Sequence, residues 1–144
     1  MAVPGVYRPR MATTKSGLLV LAGDQDQVLV IDLAAKAGRA LEAKRLLLVT
    51  AESCTGGGVS QAITEVAGST GWFDCGFVAY SNPSKAELLD VPPALIAQFG
   101  SVSEEVAAAM AEGALANSNA DAAVSTTGID GPTAAVPGQP VGPD

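Results

Sequence analysis

The sequence predicts an α/β domain in which a sheet is covered by helices on both sides. Short apolar runs at residues 46–49, 76–80 and 122–126 are typical of buried strands. Between them lie segments whose apolar residues recur three to four positions apart, which is the period of an amphipathic helix. Glycine-rich or small-residue turns follow two of the strands. Alternating strands and helices favour this layered fold over an all-helical or all-β one.

The helices are predicted in order along the chain. The first covers residues 27–43, where Val28, Ile31 and Leu41 share one face. The second covers residues 59–66 and ends at Gly68. Shorter helices are predicted at 84–89 and 93–98, and a longer one follows a capping serine, for which Ser101 and Ser103 are both candidates.

Composition restricts the function. The 144 residues are 48% hydrophobic and 16% charged, with a net charge of −7. No basic cluster offsets this charge, so we expect no nucleic-acid partner. The apolar run after Gly17 is too short for a membrane span, and it is a poor match to a signal peptide. We therefore expect a cytoplasmic protein with no membrane partner. With no histidine and two cysteines, no metal site or disulfide framework is expected.

Ser53 is the first candidate for catalysis, because it follows a buried strand and precedes Gly56, Gly57 and Gly58. Ligands bind at this position in open α/β sheets. We expect unpaired amides in the first turn of the following helix, where they would hold a phosphate or an oxyanion. The alternative is that the turn merely joins strand to helix. Neither nucleotide-binding glycine fingerprint is present.

A hydrolase without histidine needs another group to activate its nucleophile. Lys85 and Tyr80 flank the end of the second strand, and a desolvated lysine can act as a base. Tyr80 would relay the proton or hold the lysine. Taken in isolation, Lys85 is more often a solvated lysine at a helix start, and Tyr80 is more often an aromatic residue at the edge of the core. Cys54 is a rival nucleophile, but we rank it as a packing residue.

Thr127 and Gly128 follow the third strand and should face the same crevice. Thr127 is a candidate to position substrate or donate to a leaving group. Its hydroxyl would instead satisfy local backbone groups if the turn were purely structural.

Several segments resemble one known family, the CinA C-terminal domain. AESCTGG at 51–57 matches that family's signature, and GFVAYSNPSK at 76–85 is similar to its segment with a tyrosine, an asparagine and a lysine. GSVSEEV at 100–106, TGIDGP at 127–132 and QPVG at 139–142 follow in the family's order. The similarity covers roughly residues 40–142, and motifs in conserved order are far more specific than any one of them.

The resemblance implies a three-layer α/β/α sandwich with a mostly parallel or mixed sheet, and hydrolysis of nicotinamide mononucleotide to nicotinate mononucleotide and ammonia. It implies no cofactor, a small pyridine nucleotide as substrate, and a homo-oligomer, expected to be a dimer. The implied residues are as follows: catalytic Ser53, Tyr80, Lys85 and Thr127; substrate-binding Thr55, Gly56, Gly57, Asn82 and Gly128.

The chain also departs from the family. Asp130 replaces a small residue, and the family's substrate-binding arginine has no counterpart. Residues 1–16 are polar, contain proline and show no periodicity, so we expect a loose arm there. The family continues past the motif that resembles QPVG with a strand and a closing helix, so we expect one domain at 17–144 that is incomplete at its C-terminal end, leaving a sheet edge exposed. These departures leave open a degenerate, non-catalytic domain that binds a nucleotide or a protein partner.

Overall fold

The computed structural model describes residues 19–20 and 27–129 of the chain. These residues form four strands and five helices, with a short 3₁₀ turn at Ser69–Gly71 and three helices in succession before the last strand. The strands are β1 (Leu19–Val20), β2 (Leu48–Glu52), β3 (Phe73–Val78) and β4 (Ala122–Thr126). The helices are α1 (Gln27–Ala43), α2 (Gly58–Thr64), α3 (Asn82–Leu89), α4 (Pro93–Phe99) and α5 (Glu104–Ala116).

The strands form one sheet in the order β1-β4-β2-β3, and every pair is parallel. The central strand β2 is buried along its whole length, as its apolar sequence predicts. At its carboxyl end, Glu52 is paired with Thr126 of β4 and with Val78 of β3. The turns that follow these three strands therefore meet at one edge of the sheet.

Two apolar clusters lie on opposite faces of the sheet. One contains Val49 and Ala51 of β2, against Leu89 of α3 and Met110 of α5. The other joins Leu48 of β2 to α1 and α2 and contains the buried residues Leu48, Ile63 and Trp72. Helices therefore cover both faces, and the predicted three-layer α/β/α sandwich is confirmed.

The helix starts follow from local chemistry. Ser81 caps α3 by accepting a hydrogen bond from the Ser84 amide at 3.2 Å, and Pro83 stands in the first turn, where a missing N–H costs nothing. Ser103 caps α5 by accepting from the Val106 amide at 3.2 Å. Of the two capping candidates, Ser103 is the one used.

Three strands differ from the prediction. β2 runs over Leu48–Glu52 rather than 46–49, because residues 50–52, expected in the turn, pair with both neighbouring strands. β3 begins at Phe73, three residues before the predicted start. Its first residues were missed because exposed Asp74 interrupts the apolar run, whereas Phe73, Cys75 and Phe77 are partly buried. Leu19–Val20, within the run weighed as an export signal, pairs with β4 as a short strand. No helix among the described residues is long and apolar enough to cross a membrane.

Some predictions lie outside the described residues. They are the loose arm at 1–16, the change at Asp130, and the QPVG segment at 139–142.

Candidate functional site

Ser53 lies directly after β2, where the chain turns away from the sheet. Its amide donates to the carbonyl of Thr126 at 3.1 Å, so the turn is held to the end of the neighbouring strand β4. The residue is only 4% exposed. Ser53 therefore stands on a fixed backbone and has little contact with solvent.

Lys85 reaches Ser53 from α3. Its Nζ lies 3.1 Å from Ser53 Oγ and donates to the Tyr80 carbonyl at 2.7 Å. The residue is 2% exposed, and no carboxylate contact is recorded for its amine among the described residues. A buried lysine whose amine meets a serine hydroxyl is a suitable partner for proton transfer.

Burial lowers the pKa of Lys85 below its ordinary value of 10.5, because desolvation disfavours the ammonium form. The negative charge of an ionised Cys54 opposes this shift. Cys54 is thus also close to Lys85, and its Sγ is 2.9 Å from where a Cβ on Gly128 would lie. Cys54 packs between the turns after β2 and β4.

Tyr80 contributes to this contact through its main chain. Its carbonyl accepts from Lys85, while the residue as a whole is 62% exposed. The predicted function of holding the lysine is therefore carried by a backbone atom. A proton relay through the Tyr80 hydroxyl stays a prediction.

Glu52, immediately before Ser53, is a buried carboxylate that sequence reasoning missed. It is 0% exposed and accepts from the amides of Val59 at 2.8 Å and Ser60 at 3.0 Å. Hydroxyls of Thr55 at 2.7 Å and Ser60 at 2.6 Å also donate to it. The prediction of unpaired amides at the start of α2 is wrong for Val59 and Ser60, because Glu52 already occupies the position expected for an anion.

The turn itself requires glycine. Gly56 and Gly57 have φ of 58° and 106°, and the left-handed region favours a residue without a Cβ. Thr55 Oγ1 donates to Glu52 and lies 2.7 Å from Thr126 Oγ1. Since its only hydroxyl proton is given to Glu52, the Thr55 side chain has no proton to donate to a substrate.

The other predicted residues lie on the neighbouring turns. Thr127 is 7% exposed and donates to the Ser101 carbonyl at 2.7 Å, the local contact that was the alternative for this residue. Gly128 abuts Cys54, and Asn82 is exposed at the first residue of α3. Within the described part of the chain, no group of three or more histidine, cysteine, aspartate or glutamate residues is placed to hold a metal.

The chain was compared with known proteins. The CinA C-terminal domain family matches residues 30–143. The nicotinamide-nucleotide amidohydrolase PncC of Escherichia coli strain K12 is 48% identical over 113 residues, which are 78% of this chain and 68% of that protein. A putative competence-damage inducible protein of Symbiobacterium thermophilum is 53% identical over 105 residues, and there the chain spans only 25% of the relative's length.

Solved structures agree. The competence/damage inducible protein CihA of Agrobacterium tumefaciens superposes with a TM-score of 0.75 at 39% identity, over 84% of this chain and 72% of that one. A CinA superfamily protein of Escherichia coli gives a TM-score of 0.75 at 32% identity, over 83% and 70%. With family, sequence and fold in agreement, this chain belongs to the CinA C-terminal domain family.

Proposed function

We propose that this domain is an amidohydrolase that converts nicotinamide mononucleotide to nicotinate mononucleotide and ammonia, with Ser53 as nucleophile. The observation that carries the proposal is the 3.1 Å contact between Ser53 Oγ and the buried amine of Lys85 in a chain without histidine. The names of relatives such as PncC supply the substrate class. The mechanism is argued from the residues themselves.

Neutral Lys85 is the proposed general base. The Tyr80 carbonyl takes one N–H of the amine, which leaves its lone pair for the Ser53 hydroxyl proton. Ser53 Oγ then bonds to the carboxamide carbon, and the proton moves to Lys85. When the C–N bond breaks, Lys85 returns this proton to the departing nitrogen and ammonia leaves. Lys85 then deprotonates water, which adds to the acyl carbon. As the bond from that carbon to Ser53 Oγ breaks, Lys85 gives the proton to Ser53 Oγ, and the acid product ionises to the carboxylate by losing its proton to solvent.

The remaining predicted residues are proposed to hold substrate. Gly56 and Gly57 allow a ligand to approach the backbone of the nucleophile turn. None of the backbone hydrogen bonds recorded for the described residues uses the Gly57 amide, which is therefore a candidate donor to the substrate. Thr127, Gly128 and Asn82 border the same edge of the sheet from β4 and α3. We expect them to shape the pocket rather than to transfer protons.

The test is ammonia release from nicotinamide mononucleotide by the purified chain and by Ser53→Ala. Ser125→Ala is the matched control, because Ser125 is also buried and its hydroxyl donates to the Ala107 carbonyl of α5. We expect Ser53→Ala to lose turnover by at least about 10³-fold and Ser125→Ala to keep it. A folded chain without turnover would favour the non-catalytic alternative, in which the domain only binds a nucleotide or partner.

A further inference from the structure

Two chains of hydroxyl groups end on the carboxylate of Glu52. On one side, Thr126 Oγ1 contacts Thr55 Oγ1 at 2.7 Å, and Thr55 donates to Oε1. On the other, Thr50 Oγ1 contacts Ser60 Oγ at 2.7 Å, and Ser60 donates to Oε2. Glu52, Thr50 and Thr126 are each 0% exposed. Such a buried network has defined donor and acceptor roles.

Counting protons fixes the direction of each chain. A carboxylate only accepts, and a hydroxyl has one proton to donate. Because Thr55 gives its proton to Glu52, Thr126 must donate to Thr55. By the same argument, Thr50 donates to Ser60. Both chains therefore run toward Glu52.

The two chains differ in what lies at their far end. Thr126 Oγ1, having given its proton to Thr55, offers lone pairs to the Ser53 amide at 3.4 Å, and the Thr126 carbonyl accepts from the same amide at 3.1 Å. Thr50 has no recorded contact with Ser53 among the described residues. Only the first chain reaches the nucleophile.

We propose that Glu52 is a positioning residue for Ser53, acting through Thr55 and Thr126. Its carboxylate orients the Thr126 hydroxyl so that oxygen lone pairs face the Ser53 amide, and its contacts with α2 hold the other end of the turn. The Ser53 hydroxyl is left to Lys85 alone among these contacts. This inference rests on the proposed function only in naming Ser53 as the nucleophile.

The test compares the same substitution at two matched sites. Thr126→Val and Thr50→Val each remove one buried hydroxyl that donates to a hydroxyl bound to Glu52, with little change in volume. The Ser53 amide keeps its bond to the Thr126 carbonyl, so both variants should fold. Thr126→Ser, which keeps the hydroxyl, is the rescue variant. Glu52→Gln is a third change, because its amide nitrogen would face two of the four donors that the carboxylate accepts from.

Two readouts are needed. One is kcat and KM for ammonia release, and the other is the rate at which a fluorophosphonate labels Ser53, which does not depend on the substrate. Urea unfolding of each variant measures stability. We expect Thr126→Val to lower kcat and the labelling rate by about tenfold to hundredfold with KM little changed, as for a misplaced reacting group. Thr50→Val should lose similar stability but keep both rates, and Thr126→Ser should restore them.

Equal loss of rate in Thr50→Val and Thr126→Val would overturn the inference, as would a Thr126→Val protein with unchanged rates. If the unaltered chain labels at Ser53 but releases no ammonia, the proposed function is wrong, and the labelling rates still decide whether Thr126 positions the nucleophile. Absence of labelling in a folded chain would contradict both.

Discussion

Raising the pH is expected to activate the domain over the range in which Lys85 loses its proton. The lysine must be neutral to accept the Ser53 proton, and burial lowers its pKa below 10.5. On the acidic side of that pKa, kcat/KM should rise about tenfold per pH unit, since the neutral fraction rises by this factor. Above it the profile should level off.

Removing the Lys85 amine shows how much it contributes to the rate of ammonia release. Lys85→Met keeps an unbranched side chain at this buried position but removes the amine nitrogen that lies 3.1 Å from Ser53 Oγ. Loss of a general base typically costs about 10²- to 10⁴-fold. This factor corresponds to about 3–5 kcal/mol of transition-state stabilisation. The residual activity of Lys85→Met should lack the rising limb.

The free energy of unfolding should also depend on pH through Lys85, and the lowered pKa of Lys85 fixes the direction of this dependence. The folded pKa of Lys85 is depressed, so between this value and 10.5 the unfolded chain binds more protons than the folded one. Stability therefore rises with pH across this window, and the penalty for burying the charge is fully present below the folded pKa. Lys85→Met should remove this dependence.

The assay is ammonia release at about pH 6 to 10, with urea unfolding at each pH. Lys36→Met, at an exposed position of α1, is the matched control and should keep both profiles. The reasoning is refuted if Lys85→Met retains the rising limb, or if the unaltered protein loses kcat/KM as the pH rises through this range.

Two further predictions concern stability, each measured as the free energy of unfolding in urea. Gly113→Ala should destabilise the domain by about 1–3 kcal/mol, because the added Cβ would overlap the Leu89 carbonyl, whereas the control Gly58→Ala meets open space. An unchanged or higher stability of Gly113→Ala would contradict this packing. Ser103→Ala should cost about 1 kcal/mol by removing the cap that accepts from Val106, and no loss would show the cap to be unimportant.

The sequence predicts most of the architecture, because buried strands and helices leave apolar runs or periodic apolar faces in it. β2 and β4 are apolar or small, and α1 has a periodic face, so their type and order are readable. β3 is harder because Asp74 points to solvent from an edge strand. β1 is two residues long, and its pairing with β4 leaves no local signal.

The site shows the same division. That Ser53 and Lys85 converge follows from strand ends meeting at one sheet edge, which topology alone predicts. The function of the Tyr80 backbone carbonyl is invisible to side-chain reasoning. Glu52 was missed because a carboxylate in a buried strand is judged by its neighbours in space, and these are amides of α2. One signal existed: Glu52 is the charged residue of an otherwise small and apolar run, with hydroxyls at Thr55 and Ser60.

The strand order also has a consequence for how the chain acquires its fold during synthesis. Leu19 pairs with Val124, so the first described strand cannot find its place until the last one has formed. β2 and β3, joined by α2 and the short 3₁₀ turn, can associate early as a local unit. Because distant pairings must overcome loop-closure entropy first, β1 should dock last. During synthesis, β1 leaves the ribosome long before β4 and stays unpaired until β4 is made. The turn that contains Ser53 already has β3 beside β2 by then, which is one of its two flanking strands.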